Sequence, residues 1–224
     1  MGKGILYIVS TPIGNMKDIS QRAFECLHAV ETVACEDTRH TGLLLSRLGM
    51  KKSLVSYNDI NARRKVSGLI EHLLQGRDLA LVSDAGTPGV SDPAYRLVRA
   101  AVDAGIDIIS IPGPSAILCA LVVSGLPLDR FVFEGFLPQK GAKRDKAILS
   151  LKTEHHTIVL YESPHRIINL LERILELIGD REISVSRELT KLHEETVRGH
   201  VSVVLEKLKQ KNPRGEYTVI LHGA

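Results

Sequence analysis

Two α/β domains are predicted, the first built on a mostly parallel sheet and the second on a mixed one. Three observations predict this. Apolar runs of strand length alternate with amphipathic stretches through the first half of the chain, the connections between them are short, and the rhythm changes at Ser124-Gly125-Leu126-Pro127, after which strands become more frequent per helix. Near-continuous apolar strands separated by amphipathic helices imply a sheet covered on both faces, and parallel sheets are the ones so covered. The first domain is expected over 1–124 and the second over 125–224.

In the first domain, strands are expected over 5–10, 31–35, 53–56, 79–83 and 106–111, with helices over 20–28, 41–48, 62–75, 94–104 and 115–124. Ser20 stands where a helix N-cap belongs, and Gly105 follows Ala104 as a C-terminal stop. In the second domain, strands are expected over 131–136, 157–161, 182–186, 194–198 and 216–222, with helices over 143–151, 163–178 and 201–209. Pro164 suits a first helical turn, and Gly179 ends the long helix.

The bulk composition restricts the function without naming it. The 224 residues are 44% apolar and 25% charged, ordinary for a globular protein, and carry a net charge of only +3. Aromatic residues are 4% with no Trp, which disfavours recognition by broad aromatic stacking. Cys26, Cys35 and Cys119 are odd in number and lack C-x-x-C spacing, so they read as reduced cysteines with no disulfide framework. The apolar run 5–9 is too short for a signal peptide or a membrane span. A soluble, cytoplasmic protein is expected.

Three Gly/Pro loops locate a site before any catalytic residue does. Ser10-Thr11-Pro12-Ile13-Gly14-Asn15, Ser83-Asp84-Ala85-Gly86-Thr87-Pro88-Gly89 and Ile111-Pro112-Gly113-Pro114-Ser115-Ala116 each follow an expected strand. In open α/β sheets, small ligands bind at the carboxyl ends of strands. Several ligand classes are excluded by pattern. No G-x-G-x-x-G follows the first strand, and there is no P-loop, no G-x-S-x-G elbow and no Cys/His cluster of zinc spacing, so no metal is expected.

Polar clusters at other strand ends complete the candidate set. Glu36-Asp37-Thr38-Arg39 follows the second strand; it reads either as a helix N-cap or as part of the same site. Glu162-Ser163-Pro164-His165-Arg166 and Arg187-Glu188-Leu189-Thr190-Lys191 follow second-domain strands, where a helix start can hold an anion and alternating charges can form surface ion pairs. Lys140, Lys143, Arg144, Lys146 and Lys152 form a basic stretch interrupted only by Asp145. A solvated helix face and an RNA-binding patch both account for it. His28, His40 and His72 read as surface or packing residues.

The order of these clusters resembles the ribosomal-RNA methyltransferases of the tetrapyrrole methylase superfamily, the class III S-adenosylmethionine (SAM) methyltransferases. The resemblance rests on the loops and clusters above together with Phe133-Glu134-Gly135-Phe136-Leu137-Pro138, and it runs from Gly4 to about Leu221. Two departures are Ala62, where the superfamily's pattern commonly has Glu, and Ala94, where it commonly has Gly. The resemblance implies a homodimer that binds SAM between its domains and methylates a cytidine ribose 2′-hydroxyl in the decoding region of 16S rRNA, with no membrane or DNA partner. It places SAM against Pro12, Asp84, Ala85, Gly86, Pro88, Ser115, Ala116, Phe136 and Glu162. For the catalytic role, Asp37 is the first candidate, as base or hydroxyl orienter, with Glu188, a deprotonated Lys191 and Asp92 as alternatives. Arg39, Lys140, Arg144 and Arg166 are expected on RNA phosphates. A methylase of porphyrin or corrin precursors is the competing reading on the same fold, and a non-catalytic assembly protein is a third.

Overall fold

The computed structural model describes residues 2–224, which divide into two compact units, the first ending at Ser115 and the second spanning Ala116–Ala224. The first unit contains, in chain order, β1 (Leu6–Val9), α1 (Gln21–Ala29), β2 (Thr32–Cys35), α2 (Thr38–Arg47), β3 (Ser53–Ser56), α3 (Ala62–Leu74), β4 (Leu79–Val82), α4 (Ala94–Asp103) and β5 (Ile108–Ile111). Its five strands are all parallel, in the order β3-β2-β4-β1-β5. The period-two geometry of a strand sends Leu79 and Leu81 of β4 to one face, and Ala80 and Val82 to the other.

The helices divide between those faces for a topological reason. The chain steps from β1 outward to β2 and β3, then returns to β4 and crosses to β5. Right-handed crossovers taken in opposite directions cover opposite faces. Accordingly Leu27 of α1 and Leu45 of α2 pack on the Val33, Ala80 and Val82 side, while Leu73 of α3 and Leu97 of α4 pack on the Leu6, Leu79 and Leu81 side. Around β4, neighbouring connections therefore leave toward opposite faces, which opens a crevice at the carboxyl ends of β2, β4 and β1.

The second unit contains α5 (Ala116–Val122), β6 (Phe131–Phe136), α6 (Ala142–Ser150), β7 (Thr157–Glu162), α7 (Ile167–Ile178), β8 (Glu182–Arg187), β9 (Glu195–His200), α8 (Val201–Lys209) and β10 (Tyr217–Leu221). Its strand order is β6-β7-β10-β8-β9, with β6 parallel to β7 and the other pairs antiparallel. One face is covered by α6, α7 and α8 through Ile148, Leu170, Leu171, Ile174, Val204 and Leu208. The sequence puts the change of rhythm at 124/125, but α5 packs against β10 and β8 and so goes with the second unit.

Two local differences from the sequence reading have clear causes. The helix expected over 163–178 starts at Ile167, because Ser163–Arg166 forms a turn in which the Arg166 and Ile167 amides donate to the Ser163 carbonyl at 3.1 Å. α2 begins three residues earlier than the expected Thr41, because Asp37 caps it by accepting from the Arg39 amide at 2.8 Å.

Candidate active site

In the first unit the three Gly/Pro loops are bound into one floor. Thr11 and Gly86 pair as an antiparallel bridge, with the Thr11 amide donating to the Gly86 carbonyl at 2.9 Å and the Gly86 amide donating to the Thr11 carbonyl at 3.1 Å. Ser10 Oγ and Thr87 Oγ1 are 2.9 Å apart, and Thr87 Oγ1 donates to the Pro114 carbonyl at 3.4 Å. The loops after β1, β4 and β5 therefore hold one another. Two glycines set how closely. A Cβ on Gly113 would lie 2.8 Å from Ser10 Cβ, and Gly86 has φ +80°, where a side chain is strained, with its Cβ position 3.4 Å from Ile13 Cγ2. Pro12, Asp84, Ala85, Gly86 and Pro88 belong to this floor, and Ser115 ends its third loop.

β2 and β4 are clipped at their carboxyl ends. The Asp84 amide donates to Glu36 Oε1 at 3.2 Å, and the Asp37 amide donates to Asp84 Oδ1 at 3.2 Å. Glu36, Asp37 and Asp84 thus lie together at these strand ends, and the proton affinities of Glu36 and Asp37 are shifted in opposite directions. Asp37 is held down at about 2, chiefly by hydrogen bonds from the Arg39 side chain and amide. Glu36 is pushed up by burial, opposed by the Asp84 amide and reinforced by the charges of Asp84, Asp92 and Asp59. The sequence reading names Glu36 within its cluster but not among the catalytic candidates, since nothing local separates it from a capping acid; the pairing of β2 with β4 creates its environment. Asp92 is occupied structurally, its oxygens accepting from the Gly89 amide at 2.7 Å and the Ala94 amide at 2.9 Å.

In the second unit, the carboxyl ends of β6, β7 and β8 gather Phe136, Glu162 and Glu188 along one sheet edge. Lys191 joins them, its Nζ 2.9 Å from Glu188 and 2.8 Å from Glu216. Burial pulls the Lys191 ammonium down, but Glu216 and Glu188 outweigh it and the net direction is up, so the expected deprotonated lysine is corrected to a charged one. Burial likewise pushes Glu188 up, yet Lys191 and the Glu216 amide leave it below the usual carboxylate range.

One further expectation is corrected. Arg144 does not offer its guanidinium to RNA: the side chain is 2% exposed, Nη2 lies 2.9 Å from Glu162 Oε2, and Nη1 donates to the Pro138 carbonyl at 3.0 Å. Glu162 is equally occupied, its other oxygen accepting from Arg166 Nε at 2.7 Å and from the Ser163 amide at 2.8 Å. This buried network braces the edge through both carboxylate oxygens of Glu162. The helical spacing of Arg144 with Ile148 was the signal that it faces the core. Lys140, Lys143 and Lys146 are exposed, and Arg39 is exposed while paired with Asp37 at 2.9 Å.

A family model described as Tetrapyrrole (Corrin/Porphyrin) Methylases matches residues 5–204. The chain belongs to this family. Among its relatives, Ribosomal RNA small subunit methyltransferase I of Thermotoga maritima is 47% identical over 223 residues, covering 100% of this chain and 99% of the relative. The protein of the same name from Synechocystis is 46% identical, covering 99% of this chain and 80% of the relative. Among solved structures, the methyltransferase CobJ superposes with a TM-score of 0.70 at 18% identity, covering 99% of this chain and 95% of that one. Uroporphyrin-III-C-methyltransferase from Thermus thermophilus gives 0.66 at 23% identity, covering 97% and 94%. These two likenesses carry the tetrapyrrole methylase fold. Among the described residues, no group of His, Cys, Asp or Glu is arranged to hold a metal ion, and no helix is long and apolar enough to cross a membrane.

Proposed function

We propose that this tetrapyrrole methylase family member is a SAM-dependent methyltransferase of small-subunit ribosomal RNA, acting on the ribose 2′-hydroxyl of a cytidine in the decoding region of 16S rRNA. The observation that carries the reading is the full-length match to proteins named for small-subunit ribosomal RNA methylation, at 47% and 46% identity. The loop floor fits the donor. Gly86 and Gly113 let its loops pack this closely, since a Cβ would be strained at the first and meet Ser10 at the second, and its carboxylates suit a cationic ligand. Pro12, the Asp84–Pro88 loop and Ser115 would hold SAM, with Ala116 following. SAM supplies a methyl group already activated on a sulfonium sulfur.

The chain's own work is then alignment and proton handling. Fixing an attacking hydroxyl in line can supply about 7–11 kcal/mol in the best intramolecular cases. Asp37 remains ionised at physiological pH and is suited to accept a hydrogen bond from the hydroxyl and orient it. Its low proton affinity makes it a poor resting place for the proton. Glu36, whose surroundings raise that affinity, is the better matched acceptor, since a general base works best with a pKa nearer the operating pH. Arg39 and the exposed lysines of the segment containing α6 supply phosphate contacts, which position RNA without reading its sequence. We take the protein to act in the cytoplasm as a homodimer, a state that sedimentation equilibrium reads directly.

The test incubates the protein with labelled SAM and small ribosomal subunits lacking the modification, then maps 2′-O-methylation along 16S rRNA. Label at a single cytidine ribose of the decoding region supports the reading. Transfer to a porphyrinoid with none to RNA overturns it.

A further inference from the structure

The edge of the second sheet carries a feature that methyl transfer alone does not require. β6 ends on Phe136, which is 57% exposed although it closes a strand. It is braced from behind. Its centroid lies 5.4 Å from that of Tyr161, its partner on β7, and Phe133 meets Tyr161 edge-on at 5.2 Å. β10 enters the sheet beside β7, bringing Glu216 to the same edge, close enough that its charge adds to burial in raising the Tyr161 phenol to about 12.

Glu216 is held in place together with a cation. Lys191 Nζ sits 2.8 Å from Glu216 Oε2, and the Glu188 and Glu216 segments exchange hydrogen bonds at 3.0 and 3.1 Å. The segment bearing Lys191 is folded sharply, with Glu188 at φ +51° and Thr190 at φ +67°. Non-glycine residues are uncommon there and persist only where their surroundings fix them. Glu216 is 80% exposed, and only one of its oxygens is bound to Lys191. An open aromatic face therefore lies at the same sheet edge as a fixed acceptor and donor set side by side.

We propose that this edge seats the unstacked base of the target nucleotide and reads it as cytosine. It rests on the RNA methyltransferase reading above. RNA-modifying and RNA-reading proteins hold splayed bases by stacking them on aromatic rings and bonding their Watson–Crick edges. Phe136 supplies the stacking face. Cytosine presents an N4 amine beside the N3 acceptor, and Glu216 beside Lys191 is the complementary order, a carboxylate accepting from N4 being a known pairing. Uracil presents the reverse order, O4 and N3–H, which would set oxygen against carboxylate and N–H against ammonium. The basic stretch around α6 would hold the phosphates, and this edge would supply the base identity that phosphate contacts lack.

The experiment measures binding of two ten-nucleotide single-stranded RNAs, identical except for one central cytidine or uridine, by fluorescence anisotropy. SAM affinity is measured in parallel by calorimetry. The wild-type protein is expected to prefer the cytidine strand by about tenfold, within the range a bidentate base contact gives. Glu216→Gln should abolish or reverse that preference, because an amide can donate to O4. Phe136→Leu should weaken both strands about tenfold, in line with the loss of one stacked base, and Phe136→Trp should restore binding. Glu216→Gln should keep SAM affinity within about twofold of wild type. Loss of SAM affinity in Phe136→Leu with RNA binding intact would overturn the proposal and return the ring to the cofactor. An unchanged cytidine preference in Glu216→Gln would overturn it as well. If those variants match wild type while wild type still methylates small-subunit RNA, only this inference fails; if wild type methylates no RNA, both fall.

Discussion

Replacing Glu162 by Gln should be among the most damaging isosteric changes in the second unit. The Glu162 and Arg144 side chains are 1% and 2% exposed, and the carboxylate also binds Arg166 at 2.7 Å. Glu162→Gln keeps the volume but leaves the Arg144 guanidinium buried without its counter-charge. Breaking a buried pair from one side costs about 3–5 kcal/mol. For a chain of this size each kcal/mol moves the melting temperature by about 2–4 °C, so a fall of roughly 6–20 °C is expected. Thermal melts followed by circular dichroism, with urea titrations extrapolated linearly, give both numbers. The double variant Arg144→Met, Glu162→Leu removes the pair symmetrically, leaving Arg166, 27% exposed, able to reach water. It should recover to within about 1–2 kcal/mol of wild type, because apolar replacement of a buried pair is often neutral. A Glu162→Gln loss below about 1 kcal/mol, or a double variant as unstable as the single one, would refute the argument that burial makes this charge dependent on its partner.

Four other outcomes follow from the site. Gly113→Ala should lower SAM affinity at least about tenfold, because its Cβ would meet Ser10 Cβ at 2.8 Å and force the loops apart; calorimetry reads it, and unchanged affinity would remove the floor from the SAM site. Glu36→Gln should cut turnover about 10²-fold with SAM affinity held, the lower end of what a general base contributes, and undiminished turnover would exclude Glu36 as proton acceptor. Carbon-13 titration should find Asp37 ionised down to about pH 2; because its folded pKa is depressed, its contribution to stability is present above about pH 4 and fades toward pH 2, and Arg39→Ala should move the titration back toward 3.8. Tyr161 is raised from 10.0 to about 12 first by burial and then by Glu216, so its contribution to stability is complete below pH 10 and is lost as pH rises to about 12. Tyr161→Phe should flatten that part of the alkaline limb, and an unaltered limb would contradict the burial of the phenol.

The elements, and the strand ends that carry the candidate site, were legible in the primary structure alone. Apolar runs such as Leu79–Val82 and amphipathic stretches such as Ile167–Ile178 set strand against helix through side-chain periodicity, which depends only on neighbours along the chain. The Gly/Pro loops at Thr11, Gly86 and Gly113 were legible for a related reason, since bare backbone at a strand end has few uses other than close approach. What a charge does was settled by tertiary structure. Arg144 belongs to a basic run that reads as surface, and it is buried because the packing of α6 carries it to Glu162 on β7. Glu36 and Asp37 are adjacent acids shifted in opposite directions, Glu36 upward chiefly by burial and Asp37 downward by hydrogen bonds from the Arg39 side chain and amide. Glu216 reached Lys191 and Tyr161 only because β10 inserts between β7 and β8. Periodicity is written locally, whereas desolvation and Coulomb energy depend on distance in space, so the chain could announce its fold before it could assign its charges.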